Sequence, residues 1–195
     1  MKKVYLFFLI FSIVFFSAHG QTDIEKEIIS DLIEAEFGSV TDESSITGKD
    51  QMDNSIIILS ETFTQTIDTE DDLLVKFLRT GLAGLDSCTM NDFFKKNQSS
   101  VKIPEFCLDQ IKIIYMTKKE WNEIIKGGGW SRYHSIYGYI PTISLSRPGI
   151  NEDMNKGLIY YDAISDKLGG SGFYLILEKV NNKWIVKEKI ISWRS

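Results

Sequence analysis

Phe173-Tyr-Leu-Ile-Leu-Glu-Lys-Val-Asn-Asn-Lys-Trp-Ile-Val-Lys-Glu-Lys-Ile-Ile-Ser-Trp193 reads as two strands joined by a tight turn. The flanks are dense in β-branched and aromatic residues, and Asn181-Asn182 tolerates the positive φ angles of a two-residue hairpin. Upstream, Tyr139 to Ser146 sets Ile143 and Leu145 against Thr142, Ser144 and Ser146, the period-two pattern of a half-covered strand, and Gly157 to Ala163 supplies another. These four runs predict an antiparallel C-terminal meander with one face under helices and the other partly wet.

Four helix starts carry a hydroxyl three residues before a carboxylate: Thr22 with Glu25, Thr69 with Asp72, Thr89 with Asp92 and Thr117 with Glu120. The first helix carries Ile24, Ile28, Ile29, Leu32, Ile33 and Phe37 at helical spacing, and the second Leu73, Leu74, Phe77, Leu78 and Leu82. The third is short, with Phe93 and Phe94. The fourth, with Trp121, Ile124 and Ile125, is expected to stop at Gly127-Gly128-Gly129. Two further strands are expected at Ser55 to Thr64 and Ile111 to Met116. The fold class is therefore α+β: N-terminal helices packed on a mainly antiparallel sheet that ends in a four-strand C-terminal meander.

The 195 residues are 43% hydrophobic and 25% charged, enough for one globular core and too apolar for a disordered chain. A formal charge of -5 removes the basic footprint of a nucleic-acid binder. Lys2 and Lys3, the apolar run Val4 to Phe16 and the small residues Ser17-Ala18-His19-Gly20 form a secretory signal pattern, with cleavage expected after Gly20. Residues 21–195 are then one α+β domain in the periplasm or medium, with no membrane span and with His134 as its single histidine. In an oxidising compartment Cys88 and Cys107 are expected to form a disulfide.

Several segments resemble a family of uncharacterised secreted bacterial proteins: Lys126-Gly-Gly-Gly-Trp130, Ser144-Leu-Ser-Arg-Pro-Gly-Ile-Asn151, Gly157-Leu-Ile-Tyr-Tyr161, Gly170-Ser-Gly-Phe-Tyr174, Leu177-Glu-Lys179, Asn182-Lys-Trp184 and Trp193-Arg-Ser195. With Gly84-Leu-Asp86 and Asn91 to Asn97 the likeness covers roughly residues 55 to 195. Pro148, Ile150 and Gly157 depart from the family pattern, as does the lack of a Cys pair near Ser165 and Gly169. The resemblance implies an extracytoplasmic location and this fold, and carries no reaction or catalytic residues.

The chemistry-bearing residues each have a bland and a sharp reading. Arg147, before Pro148-Gly149, can clamp a carboxylate or phosphate, or tie down its turn on backbone carbonyls and an acid such as Glu152 or Asp153; the structural role is the expectation. Gly169-Gly170-Ser171-Gly172 lacks the helix and the Lys of a phosphate loop and reads as a hairpin or bulge. His134 has no Ser or Asp set around it and reads as an ordinary exposed side chain. Asp68, Glu70, Asp71 and Asp72 favour the start of the second helix over a calcium site, and no metal or cofactor is expected. Trp121, Trp130, Trp184 and Trp193 read as core before they read as a ligand platform.

Two functions remain. The first is a non-enzymatic binding or protein-interaction domain whose partner is an envelope or extracellular protein or a small ligand. The second is a small enzyme or ligand-binding pocket of the ketosteroid-isomerase-like kind. Candidate ligand-binding residues are Arg147, Tyr160, Asp162, Tyr174 and Trp130, and none is assigned a catalytic role.

Overall fold

A computed structural model describes residues 23–38, 54–64 and 85–195. The expected signal segment, the Thr22 cap, the second helix and its acids lie outside the described residues.

Helix α1 (residues 23–37) buries Ile28, Ile29, Leu32 and Ile33 in one stripe, with Ile24 and Phe37 partly buried beside them. Each such side chain is worth roughly 1.5–3 kcal/mol relative to exposure. β1 (Ser55–Leu59) follows, then α2 (Ser87–Lys96), β2 (Lys112–Met116) and α3 (Lys118–Tyr137). Five strands complete the chain: β3 (Thr142–Leu145), β4 (Gly149–Ile150), β5 (Lys156–Asp166), β6 (Gly169–Val180) and β7 (Lys183–Arg194). Among the described residues the strands form one seven-stranded sheet in the order β2-β1-β3-β5-β6-β7, with β4 paired to β5. β1 runs parallel to β2 and β3, and every other pairing is antiparallel. Asn181 and Asn182, at φ 51° and 63°, make the β6–β7 turn.

Both faces of the sheet are covered at its centre, and the partly wet face expected of the meander is found at β7, which is largely exposed. On one face α1 packs on Ile56, Ile58, Ile143, Leu145, Ile159, Leu175 and Trp184. On the other, α3 covers Ile57, Leu59 and Met116, and α2 sets Phe93 on Leu158, Tyr160, Tyr174 and Ile176. The reason for the cover at the centre is visible in the runs Ile56 to Leu59 and Leu175 to Leu177, which are apolar without alternation, whereas β7 keeps Lys183, Lys187, Glu188 and Lys189 in water.

One helix boundary also differs from the expectation. α2 is capped by Asp86, whose carboxylate accepts from the Thr89 amide at 2.8 Å and its hydroxyl at 2.9 Å. Burial pushes this carboxyl up, but the two bonds from Thr89, together with the Lys156 charge and its own amide, hold it below the usual range. Asp92 is thereby released for the Ile150 amide and Lys96. In α3 the first helical segment ends at the glycines, as expected: Gly128 and Gly129 leave helical backbone, Gly129 at φ 61° and ψ -153° that only glycine adopts readily, and a second helical segment follows across the kink. The second segment forms because Trp130, Tyr133 and Tyr137 recur on one face, Trp130 and Tyr133 packing on Trp121 and Tyr137 on Tyr133.

The start of α3 is as expected. Thr117 Oγ1 accepts from the Glu120 amide at 3.1 Å and Glu120 accepts from the Thr117 amide at 2.8 Å. Thr117→Ala should cost about 1 kcal/mol, seen as a fall of roughly 2–4 °C in melting temperature; an unchanged melting curve would count against the capping box.

Candidate functional site

Between the areas covered by α2 and α3 a row of small and polar residues crosses the sheet. Ser144 on β3 stands opposite Asp162 on β5, Asp162 opposite Gly172 on β6, and Gly172 opposite Trp193 on β7. Period-two alternation places Tyr160 and Tyr174 on the same face one step along their strands. Their rings lie 5.0 Å apart, and the Phe63 ring lies 5.3 Å from that of Tyr160. The structure thus brings Tyr160, Asp162 and Tyr174 together, and adds Ser144, Trp193 and Phe63.

The glycines explain how Trp193 joins them. A Cβ on Gly172 would overlap the indole Nε1 of Trp193 and fall 2.6 Å from the Tyr160 hydroxyl; one on Gly170 would meet the same indole at 3.0 Å. Bare backbone therefore lets the indole lie flat across β6. From there Trp193 Nε1 donates to the Tyr160 hydroxyl at 2.8 Å, and that hydroxyl donates to Asp162 Oδ2 at 3.3 Å. The other carboxyl oxygen, Asp162 Oδ1, is buried with no hydrogen-bond partner.

Asp162 is 8% exposed. Burial raises its pKa above the ordinary 3.8, against the opposing effects of Ser144 and of the Tyr160 bond. Ser144 favours the carboxylate through both its hydroxyl and its backbone, though neither makes a hydrogen bond to Oδ1. Burial likewise raises the Tyr160 hydroxyl far above its usual value, so it stays a neutral donor. A carboxyl so placed accepts an N–H or O–H, or donates once protonated.

A raised acid costs stability in one direction of pH. Below 3.8 both the folded and the unfolded chain carry the proton and Asp162 adds no penalty. As pH climbs through the folded-state value, the unfolded chain ionises first and stability is lost. Asp162→Asn should therefore match the parent near about pH 3.5 and exceed it increasingly toward pH 7, as read from urea midpoints. A gap that stays constant with pH would show that the carboxyl is not raised.

Comparison with protein-family models, with curated proteins and with solved structures finds no match. The site is read from its own chemistry.

The other candidates lie elsewhere. Arg147, at the corner after β3, points its guanidinium at Glu25 of α1, Nε to Oε2 at 3.2 Å and Nη2 to Oε1 at 2.9 Å. Lys96 of α2 joins at 3.3 Å from Glu25 and 2.7 Å from Asp92. Asn97 receives the Arg147 amide at 2.8 Å and donates to its carbonyl at 2.8 Å. The partner acid is Glu25, replacing the expected Glu152 or Asp153, because α1 lies beside this corner in space. Trp130 packs on Trp121 and Tyr133 in α3, apart from Asp162. His134, expected to be exposed, is half-buried: a ring nitrogen is 2.9 Å from the Ser165 carbonyl and its ring centre lies 4.3 Å from that of Tyr139, tilted by 36°. Gly169 to Gly172 opens β6 as a tight hairpin with a bulge.

Cys88 and Cys107 are both free and exposed, which corrects the expected disulfide. Cys88 sits in the first turn of α2, whereas Cys107 borders a crevice with Glu34 and Gly38 at the far end of α1. The two helices cover opposite faces of the sheet, and a disulfide needs Cα atoms within about 7 Å. Among the described residues no group of three or more His, Cys, Asp or Glu side chains is placed to hold a metal ion. None of the described helices is long and apolar enough to cross a membrane.

Proposed function

We propose that the protein is a non-enzymatic binding domain that works outside the cytoplasm and takes a small polar ligand at the Asp162 carboxyl. One observation carries this reading: a buried carboxyl oxygen without a partner, held in a row of hydrogen-bonding groups. Such a group costs stability where it stands, and a donor supplied by a ligand repays it. The ligand is therefore one with an ammonium, amide or hydroxyl group, small enough to reach between α2 and α3, with the Phe63 and Tyr160 rings beside it. The signal pattern of residues 1–20 and the resemblance of the C-terminal half to secreted proteins support the location. The same raised carboxyl also suits the second reading, a small enzyme with Asp162 as acid or base; a ligand recovered chemically unchanged after incubation would set that reading aside.

A melting-temperature screen of parent and Asp162→Asn against a panel of amino acids, amines and polyols tests the proposal. A compound that binds the folded chain at 100 times its Kd stabilises it by about 2.7 kcal/mol. At least one donor-bearing compound should raise the parent's melting temperature by several degrees and leave the variant unmoved. Equal shifts in both proteins would place the ligand elsewhere.

A further inference from the structure

We propose a second site, independent of Asp162: a crevice over Arg147 that takes the carboxylate end of a short aliphatic chain. The crevice, of about 170 Å3, lies between α1 and residues 101–104, with Ile29, Val101, Ile103 and Pro148 as walls and the Arg147–Glu25 pair at its polar end. Ile29 and Ile103 are buried, at 2% and 1% exposure, so the walls are rigid parts of the core.

The guanidinium has five N–H donors in two forks. Glu25 takes the fork made by Nε and Nη2, and among the described residues the side chain makes no other hydrogen bond. The end-on fork of Nη1 and Nη2 is unspent. Arg147 is 23% exposed along its side chain against 9% for Glu25, so the cation is the partner nearer to solvent. A carboxylate seated end-on completes a second bidentate pair. An amine at the same place would meet Arg147 and Lys96, both already drawn to Glu25, and Lys102 at the rim. Behind the carboxylate, the carbon chain falls on the apolar walls. At the roughly 30 Å3 that one small heavy-atom group fills in a liquid, the crevice holds about six non-hydrogen atoms. That is close to the size of a branched four- or five-carbon acid, or of the side chain, Cα and carboxylate at the end of a peptide ending in Val.

Calorimetric titration of residues 21–195 with 3-methylbutanoate, 3-methylbutanamide, Gly-Gly-Val and Gly-Gly-Val amide tests this. One of the two carboxylates should bind with Kd on the order of 1 mM, and its amide at least tenfold more weakly. The tighter carboxylate then identifies the source as free acid or peptide terminus. Val101 is 37% exposed, and Val101→Phe fills the crevice while leaving the Arg147–Glu25 pair in place. This variant should lose binding tenfold or more, as should Arg147→Lys, whereas Asp162→Asn should bind like the parent. Acid and amide binding alike, full binding by Val101→Phe, or no heat from either carboxylate at about ten times that Kd would each overturn the proposal.

Discussion

Gly149→Ala is expected to lose about 3 kcal/mol, the upper end of what overpacking a core costs. A Cβ at this position would overlap the Cβ of Phe93 and come within 2.5 Å of the Phe93 amide nitrogen and the Thr89 carbonyl oxygen. Those atoms belong to the backbone and core side of α2, and α2 has no room to retreat. It is tied to the β3–β4 corner by the Ile150 amide on Asp92, by Lys96 on the Pro148 carbonyl and by Asn97 on Arg147. Phe93, fully buried among Leu158, Tyr160 and Tyr174, would have to move with it. Gly129→Ala gives the control: it has open space around it and only a positive φ to resist, so about 1 kcal/mol is expected there. Urea midpoints of the two variants should differ accordingly. Equal losses would mean that α2 does not rest on bare backbone.

Glu25→Ala should cost about 3 kcal/mol or more, as expected when one partner of a buried ion pair is removed. Glu25 is 7% exposed and holds two cations at once, Arg147 through two hydrogen bonds and Lys96 at 3.3 Å. Without it the two positive groups face each other with Asp92 as the remaining acid in the cluster, and α1 loses its tie to α2 and to the β3–β4 corner. The paired variant Glu25→Leu with Arg147→Leu should recover much of the loss, since an apolar pair of similar volume removes the uncompensated charge. A single variant within 0.5 kcal/mol of the parent, the range of ordinary surface changes, would contradict the part given to this cluster.

What the sequence made legible was local. The stripe of α1, the Thr117–Glu120 box and the Asn181-Asn182 turn depend on residues a few positions apart, and each is found where spacing put it. The misreadings came from choices that neighbours in space decide. Asp86 and Thr89 are both competent caps, and the contact of Asp92 with Ile150, 58 residues away, helps select between them. The stop at the three glycines was legible, whereas the helical segment directly after it is held by Trp130 and Tyr133 packing back on Trp121. Arg147 was legible as an anchoring residue, but its partner lies 122 residues earlier in the chain.

The candidate site was half legible for the same reason. Tyr160, Asp162 and Tyr174 stand out as polar or hydroxyl-bearing groups in strands. That Ser144, Gly172 and Trp193 complete the row follows only from strand register. A one-residue slip of β6 against β5 would turn Gly172 away and put a side chain under the indole. The unpartnered oxygen of Asp162 is a property of three dimensions alone.

Native mass spectrometry of the protein and of Asp162→Asn, each purified from the same extracytoplasmic fraction, tests the binding reading most directly. The parent should carry a non-covalent small-molecule mass that is released on unfolding, and the variant should fly bare. Bare spectra from both proteins, or the same adduct on both, would contradict a ligand held by the Asp162 carboxyl.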